Sequence, residues 1–274
     1  WRSTSQWIGG IYFLFSILLL IDIFDKNLKQ SLTEYLSLNY NELFKQTLKI
    51  FIIYILLTFF IFILFKFINL RTFDALNLSL SIISSGGFLP VNNIDLLFQN
   101  NLSRVLLSFT MILSFFSLFL TFNLLFFNRK KLNFLSEDFN LLIYLLFLIS
   151  LSFVFFNKDN NFPTILVAIS SSVSNIGLSF SDTPKNLTFI LFILVIIGGS
   201  FFSTSSGLRF LKIYSLTKYS LNQILSFSRP KNVFMNKLLL SNINFDNKDI
   251  NKYFLTVIVF PELIVDRTAN CALK

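Results

Sequence analysis

The chain is 274 residues long, 54% hydrophobic and only 14% charged, with a mean hydropathy of +0.69, and several apolar runs approach the roughly 20 residues that cross a bilayer as a helix. That composition belongs in a membrane; with no His and one Cys, Cys271, it leaves no imidazole proton relay, no Cys/His metal cluster and no internal disulfide, so redox and zinc chemistry are excluded. The 38 Phe accompany abundant Asn, Ile and Lys, so they reflect biased codon usage and carry no functional weight.

In chain order the predicted spans are about 5–24, 47–68, 105–127, 140–156 and 187–211, with a sixth apolar run starting near Tyr253. If the first span runs from outside to inside, the inner side holds Lys26, Lys29, Lys45, Lys49, the Arg129-Lys130-Lys131 run and eight basic residues from Arg209 to Lys252. Only Arg2, Lys66, Arg71, Arg104, Lys158 and Lys185 then lie outside, an asymmetry that sets the orientation by the positive-inside rule. The net charge of +9 is thus topological, and no nucleic-acid partner is expected. The first apolar stretch lacks a charged n-region and a small-residue cleavage site, so it is not a secretory signal. WRSTSQWIGG at one end and YFLTVIVFPELIV with DRTANCALK at the other are both abrupt, and a fragment of a longer chain is expected.

The connections are unequal. The inner loop 128–139 is short and basic, whereas the outer links 69–104 and 157–186 are long and half apolar. Each outer link contains a run, FDALNLSLSII or FPTILVAISSSV, that is too short to cross and too apolar for water, which predicts a re-entrant helix. Non-helical backbone at membrane depth is tolerated only where protein buries it or where it lines a watery cavity.

The two links also match each other. Ser81-Ile82-Ile83-Ser84-Ser85-Gly86-Gly87-Phe88 aligns with Ser171-Ser172-Val173-Ser174-Asn175-Ile176-Gly177-Leu178 as Ser-x-x-Ser-(Ser/Asn)-x-Gly-(Phe/Leu). A Gly-Gly pair alone is ordinary close packing; a matching polar octet after a matching re-entrant run argues that two turns do one job around one axis. Glycine permits positive φ, which aims successive carbonyls at one point, and stacked carbonyls that replace a hydration shell make a cation filter. Residues 84–88 and 174–178 are therefore the candidate ion-binding segments, with no transition metal implied.

The fifth span contains Gly198-Gly199-Ser200-Phe201-Phe202-Ser203-Thr204-Ser205-Ser206-Gly207. Three glycines at about 1 kcal/mol each relative to Ala, together with five hydroxyl residues that compete for backbone hydrogen bonds, predict a broken helix. Its unwound part is expected to face the permeation path and obstruct it, with Arg209 following near the cytosolic mouth.

These residues together resemble the Trk/Ktr/HKT superfamily of potassium transporters, and within it the bacterial TrkH-type membrane subunits. Trp7-Ile8-Gly9-Gly10 is similar to the family's W-x-G-G at the start of the second helix of repeat one. Phe73-Asp74-Ala75 through Ser84-Ser85-Gly86-Gly87-Phe88 resembles its second pore segment, F-D-A…S-T-G-G-F, and Ser174-Asn175-Ile176-Gly177-Leu178 takes the place of the third. Gly198-Gly199 through Gly207-Leu208-Arg209 resembles its intramembrane gating loop, G-G-C-A-G-S-T-x-G-G-I-K. The chain departs from the pattern with Ser85 and Asn175 for Thr, and with Phe201-Phe202 for small residues.

The resemblance implies an all-α integral membrane fold of helix–pore loop–helix units around a pseudo-fourfold cation pore. Residues 1–30 would end repeat one, 31–136 form repeat two, 137–212 form repeat three, 213–249 make a cytosolic linker and 250–274 begin repeat four. It further implies potassium as the permeant ion, no cofactor in this chain, a multi-pass location in the cytoplasmic (inner) membrane among lipid, a homodimer, and a cytosolic nucleotide-binding regulatory ring of the TrkA/KtrA-like kind. The protein is not expected to be an enzyme, and no catalytic residue is assigned. Two alternatives stay open: a sodium-permeable member of the same family, and a secondary transporter with a discontinuous-helix site. The latter would more often carry a coupling carboxylate within the membrane, whereas Asp22 lies near a helix end and Glu262 in the terminal stretch.

Overall fold

The computed structural model of the chain describes residues 1–24, 43–91, 93–116, 118, 137–154, 162–184, 187–200 and 203–228. Helices α1 (Arg2–Phe24) and α2 (Leu43–Phe67) come first, then the short α3 (Thr72–Ile83), a single 3₁₀ turn (Ile94–Leu96) and α4 (Asn101–Phe115). They are followed by α5 (Glu137–Val154), the short α6 (Phe162–Val173), α7 (Thr188–Ile196) and α8 (Phe210–Ser228). No strand is present among the described residues.

Length separates these helices by role. Residues Thr47–Phe67 of α2 form the one described helix long and apolar enough by itself to cross a membrane. α3 and α6 have 12 residues each, about 18 Å at 1.5 Å per residue, well short of the roughly 30 Å of a hydrocarbon core. Both occupy the runs that the sequence marks as too short to span.

Two buried clusters organise the packing. α1 and α2 surround α3, bringing Leu14, Tyr54, Leu57, Phe65, Leu78 and Ile82 together. α5 and α7 surround α6, with Leu141, Leu148, Ile165, Ile169, Leu194 and Phe210 as their core. α4 joins the halves by packing on both α3 and α6. Large apolar side chains such as Phe59, Phe109, Phe147, Phe189 and Phe192 face outward instead, a surface suited to acyl chains.

Three details go beyond the expectations. The run 187–211 is not one span, because α7 stops at Ile196 and helix resumes only at Phe210; the glycines and hydroxyls between them break it as expected. The link drawn from residue 213 is helical up to Ser228, because Phe210 and Tyr214 share one face and pack with centroids 5.9 Å apart against the second cluster. Arg104 is not a solvated outer charge: it is buried, donates from Nε to the Phe98 carbonyl at 3.1 Å and lies over the Phe180 ring at 4.5 Å. Its guanidinium also approaches Asp95 at 3.9 Å, and Asp95 accepts from Ser181 Oγ at 2.9 Å, which ties the two outer links together. The run at Tyr253, Cys271, residues 229–249 of the linker and most of 105–127 beyond α4 lie outside the described residues.

Candidate functional site

Three helices end alike. At the end of α2 the Leu70 N–H donates to Phe65 O at 3.3 Å and the Asn69 N–H to Lys66 O at 3.0 Å, with Asn69 at φ +62°. This is the Schellman arrangement, in which a left-handed residue lets two N–H groups satisfy carbonyls of the last turn. α3 repeats it: Gly86 N–H to Ser81 O at 2.7 Å, Ser85 N–H to Ile82 O at 3.0 Å, Ser85 at φ +53°. So does α6: Ile176 N–H to Ser171 O at 3.0 Å, Asn175 N–H to Ser172 O at 3.2 Å, Asn175 at φ +58°.

The turns after α3 and α6 share more than their caps. Ser84 Oγ donates back to Leu80 O at 2.8 Å, and Ser174 Oγ donates back to Ser170 O at 2.7 Å. Gly87 follows at φ +69° and Gly177 at φ +79°, a conformation that costs an L-residue about 1–2 kcal/mol. The matched octets are thus two copies of one backbone shape. In the first, Ser81 Oγ also accepts the Phe88 N–H at 2.8 Å; that serine opens the octet, so the repeat itself pointed to it.

Side chains in the turns mostly point away from their backbone. Leu178 and Ile176 are buried in the first cluster, and the Phe88 ring lies under the Arg2 guanidinium at 4.2 Å. Phe88, Ile176 and Leu178 therefore anchor the turns. The two turns also touch, because a Cβ on Gly87 would run into the Ile176 carbonyl oxygen.

The broken segment packs beneath both. Its ends close on each other through Gly198 N–H to Leu208 O at 2.8 Å and Leu208 N–H to Ile196 O at 3.0 Å. There is no room for side chains at the crossing, since a Cβ on Gly207 would lie 3.0 Å from Gly198 Cα. Gly199 sits against the Phe115 carbonyl, which accepts the Ser200 N–H at 3.1 Å and docks the loop on the end of α4. Thr204 Oγ1 lies 3.4 Å from Ser85 Oγ, Asn175 Nδ2 donates to Ser206 O at 3.0 Å, and Ser205 Oγ donates to Val173 O at 3.4 Å.

Arg209, expected as part of the gating loop near the cytosolic mouth, lies against that loop. Its guanidinium donates to Ser200 O at 3.1 Å, Ser205 O at 3.0 Å and Ser203 O at 3.5 Å, and lies 5.4 Å from the Phe13 ring centroid. Ser203 Oγ donates in turn to Ser200 O at 2.8 Å. One cation thus gathers carbonyls of the broken helix, as buried backbone at a helix break requires. Phe201 and Phe202 lie outside the described residues, and a Cβ added at Gly9 would meet no other element within 4 Å. The described residues contain no group of acidic, His or Cys side chains able to hold a metal ion.

The crystal structure of the potassium transporter TrkH from Vibrio parahaemolyticus is similar to this chain, with a TM-score of 0.80 and 18% identity. The chain has a TrkH-like fold. The match covers 96% of this chain and 57% of the TrkH chain, so the chain spans little more than half the length of that transporter. No protein-family model and no curated protein matches the sequence.

Proposed function

We propose that the chain carries part of a cation path, selective for potassium, through which ions pass the backbone carbonyls of two matched turns and are obstructed by the loop 198–207. The observation that carries this reading is the formation of the same turn twice, after two helices too short to span, with both copies held by one broken-helix loop. The TrkH-like fold supports potassium as the ion, since the similar structure is a potassium transporter. Ser84–Phe88 and Ser174–Leu178 would line the filter, and Gly198, Gly199, Ser200, Ser203–Gly207 and Arg209 would form the gate.

The repeat boundaries given above, the inner-membrane location, the homodimer and the nucleotide-binding ring docking on the inner face belong to the same proposal. Lys218, Arg229, Lys231 and Lys237 of the segment 214–249 would serve that docking, with nucleotide held by the ring.

The reading is tested with the protein expressed from its own full reading frame in a bacterium deficient in potassium uptake. Gly87→Ser is expected to reduce growth at low potassium, and deletion of residues 201–205 to raise basal rubidium flux in proteoliposomes. Normal growth and flux in both variants, at wild-type expression, would overturn it.

A further inference from the structure

A cleft of about 420 Å³ lies between α5 and α8. Its lining is almost wholly hydrocarbon, with Ile143, Tyr144 and Phe147 of α5 meeting Phe210, Ile213 and Tyr214 of α8. On each helix these positions are three and four residues apart and so share one face. The Tyr144 hydroxyl is itself buried, so Tyr144 contributes its ring. Ile143 is 46% and Phe147 60% exposed, which makes the cleft open, and its α8 face continues to the exposed Leu221 and Ile224.

The cleft touches both ends of the broken-helix loop. Ile197, which also lines it, precedes Gly198 and is bridged to Leu208, and Phe210 follows Arg209. Phe210 is held between two other rings of the lining, 5.6 Å from Tyr144 and 5.9 Å from Tyr214 between centroids. Further along α8, one turn beyond Tyr214, the half-buried Lys218 places Nζ 6.0 Å from the Tyr214 ring centroid. At 1.5 Å per residue it stands about 12 Å along the helix from Phe210, and α8 carries no acidic residue.

We propose that this cleft is a lipid site, in which one acyl chain of an anionic phospholipid lies between α5 and α8 and its phosphate meets Lys218. The cleft has the apolar, aromatic lining and the size of a small-molecule site, about 300–1,000 Å³, and is too small to seat a further helix about 10 Å across. Lys218 supplies the charge complement: its stem runs along apolar surface while its head stays near the membrane surface, where a cation attracts anionic headgroups. Lys218 is then given to the lipid, and the basic residues beyond α8 are left to the ring. A chain in the cleft touches Ile197 and Phe210 together, so its binding favours the loop conformation in which those two residues stand as found. That effect rests on the reading of the loop as a gate; the site itself does not.

The test uses phosphatidylglycerol and phosphatidylcholine, each with a photoreactive diazirine in its acyl chain, in vesicles holding the protein made from its own full reading frame and no cytosolic partner. Adducts mapped by mass spectrometry are expected on Phe147 and Ile213, several-fold more from phosphatidylglycerol. Lys218→Gln is expected to remove that preference and Lys218→Arg to keep it. Adducts on the exposed Phe59 of α2 with none on Phe147 or Ile213 would mean that protein, a second copy or the rest of the chain, covers the cleft, and would overturn the site. Equal yields from the two lipids, or a preference that survives Lys218→Gln, would overturn the headgroup assignment; should Lys218→Gln fail to fold, the wild-type map and yields decide. Basal rubidium flux is expected to be several-fold lower with phosphatidylglycerol in the wild type and not in Lys218→Gln. If the adducts form but flux is the same in both lipids, the bracing of the loop is overturned where deletion of residues 201–205 raises flux. If that deletion also changes nothing, the gate reading fails and the lipid site stands.

Discussion

The side-chain amide of Asn175 donates to the carbonyl oxygen of Ser206 at 3.0 Å, so a residue of the second turn holds the loop of the broken helix directly. Asn175 does two things at once: its backbone takes the left-handed conformation that caps α6, and its side chain reaches the loop. Gly at this position separates them. Asn175→Gly is expected to keep the turn and release the tether, which at about 0.5–1.5 kcal/mol for one hydrogen bond shifts the closed-to-open ratio several-fold. Raised basal rubidium flux at unchanged ion preference is the expected measurement; wild-type flux would mean that the tether holds nothing shut.

Arg209 reaches three loop carbonyls from Nη1, one arm of its planar fork. Arg209→Lys keeps the charge and loses the fork, while hydrogen bonds from a charged donor are worth about 1.5–3 kcal/mol. The lysine variant is therefore expected to leak, and Arg209→Gln to leak more. Equal and tight closure in both would show that charge and fork are dispensable to the loop.

The two left-handed glycines should respond differently to one methyl group. At Gly177 an added Cβ meets nothing within 4 Å, so Gly177→Ala is expected to cost only the conformational penalty of about 1–2 kcal/mol. At Gly87 the same penalty is joined by collision with the Ile176 carbonyl, which is backbone and has little freedom to yield. Gly87→Ala should lower the thermal midpoint of the purified protein further than Gly177→Ala and reduce flux more. The reverse order would place the turns apart.

Asp95 joins the outer links through Arg104 and Ser181 without touching either turn. Asp95→Asn is expected to lower stability by about 1–3 kcal/mol, since it weakens a charged contact beside a buried arginine. The ratio of rubidium to sodium flux should stay at the wild-type value. A changed ratio would bring this clamp into the path.

Much of this was legible in the residues. Composition and the long apolar runs read as a membrane chain, because 54% hydrophobic residues and several runs of about 20 lie above the soluble globular average. The twelve-residue runs 72–83 and 162–173 stand between turn signals, and the octets announced a repeated turn because serine spacing and the final glycine survive even where Gly86 is matched by Ile176. The break after Ile196 followed from local energetics, three glycines and five hydroxyls being poor helix formers anywhere.

What only the tertiary structure decided are contacts between residues far apart in the chain. Arg209 reads as a loop residue, but which carbonyls it binds appears only when the loop folds around it, and Arg104 reads as an outer charge until Phe180 and Asp95 close over it. Gln6, whose amide fills the place of a side chain on Gly86, gave no sign at all, because the two lie in different helix–turn units and no local pattern links them. Sequence periodicity reports which face of an element is apolar; it does not report which element arrives there, and a carbonyl left over at a helix break is satisfied by whatever donor the fold delivers. The twin turns belong to the sequence, and the loop that grips them both belongs to the packing.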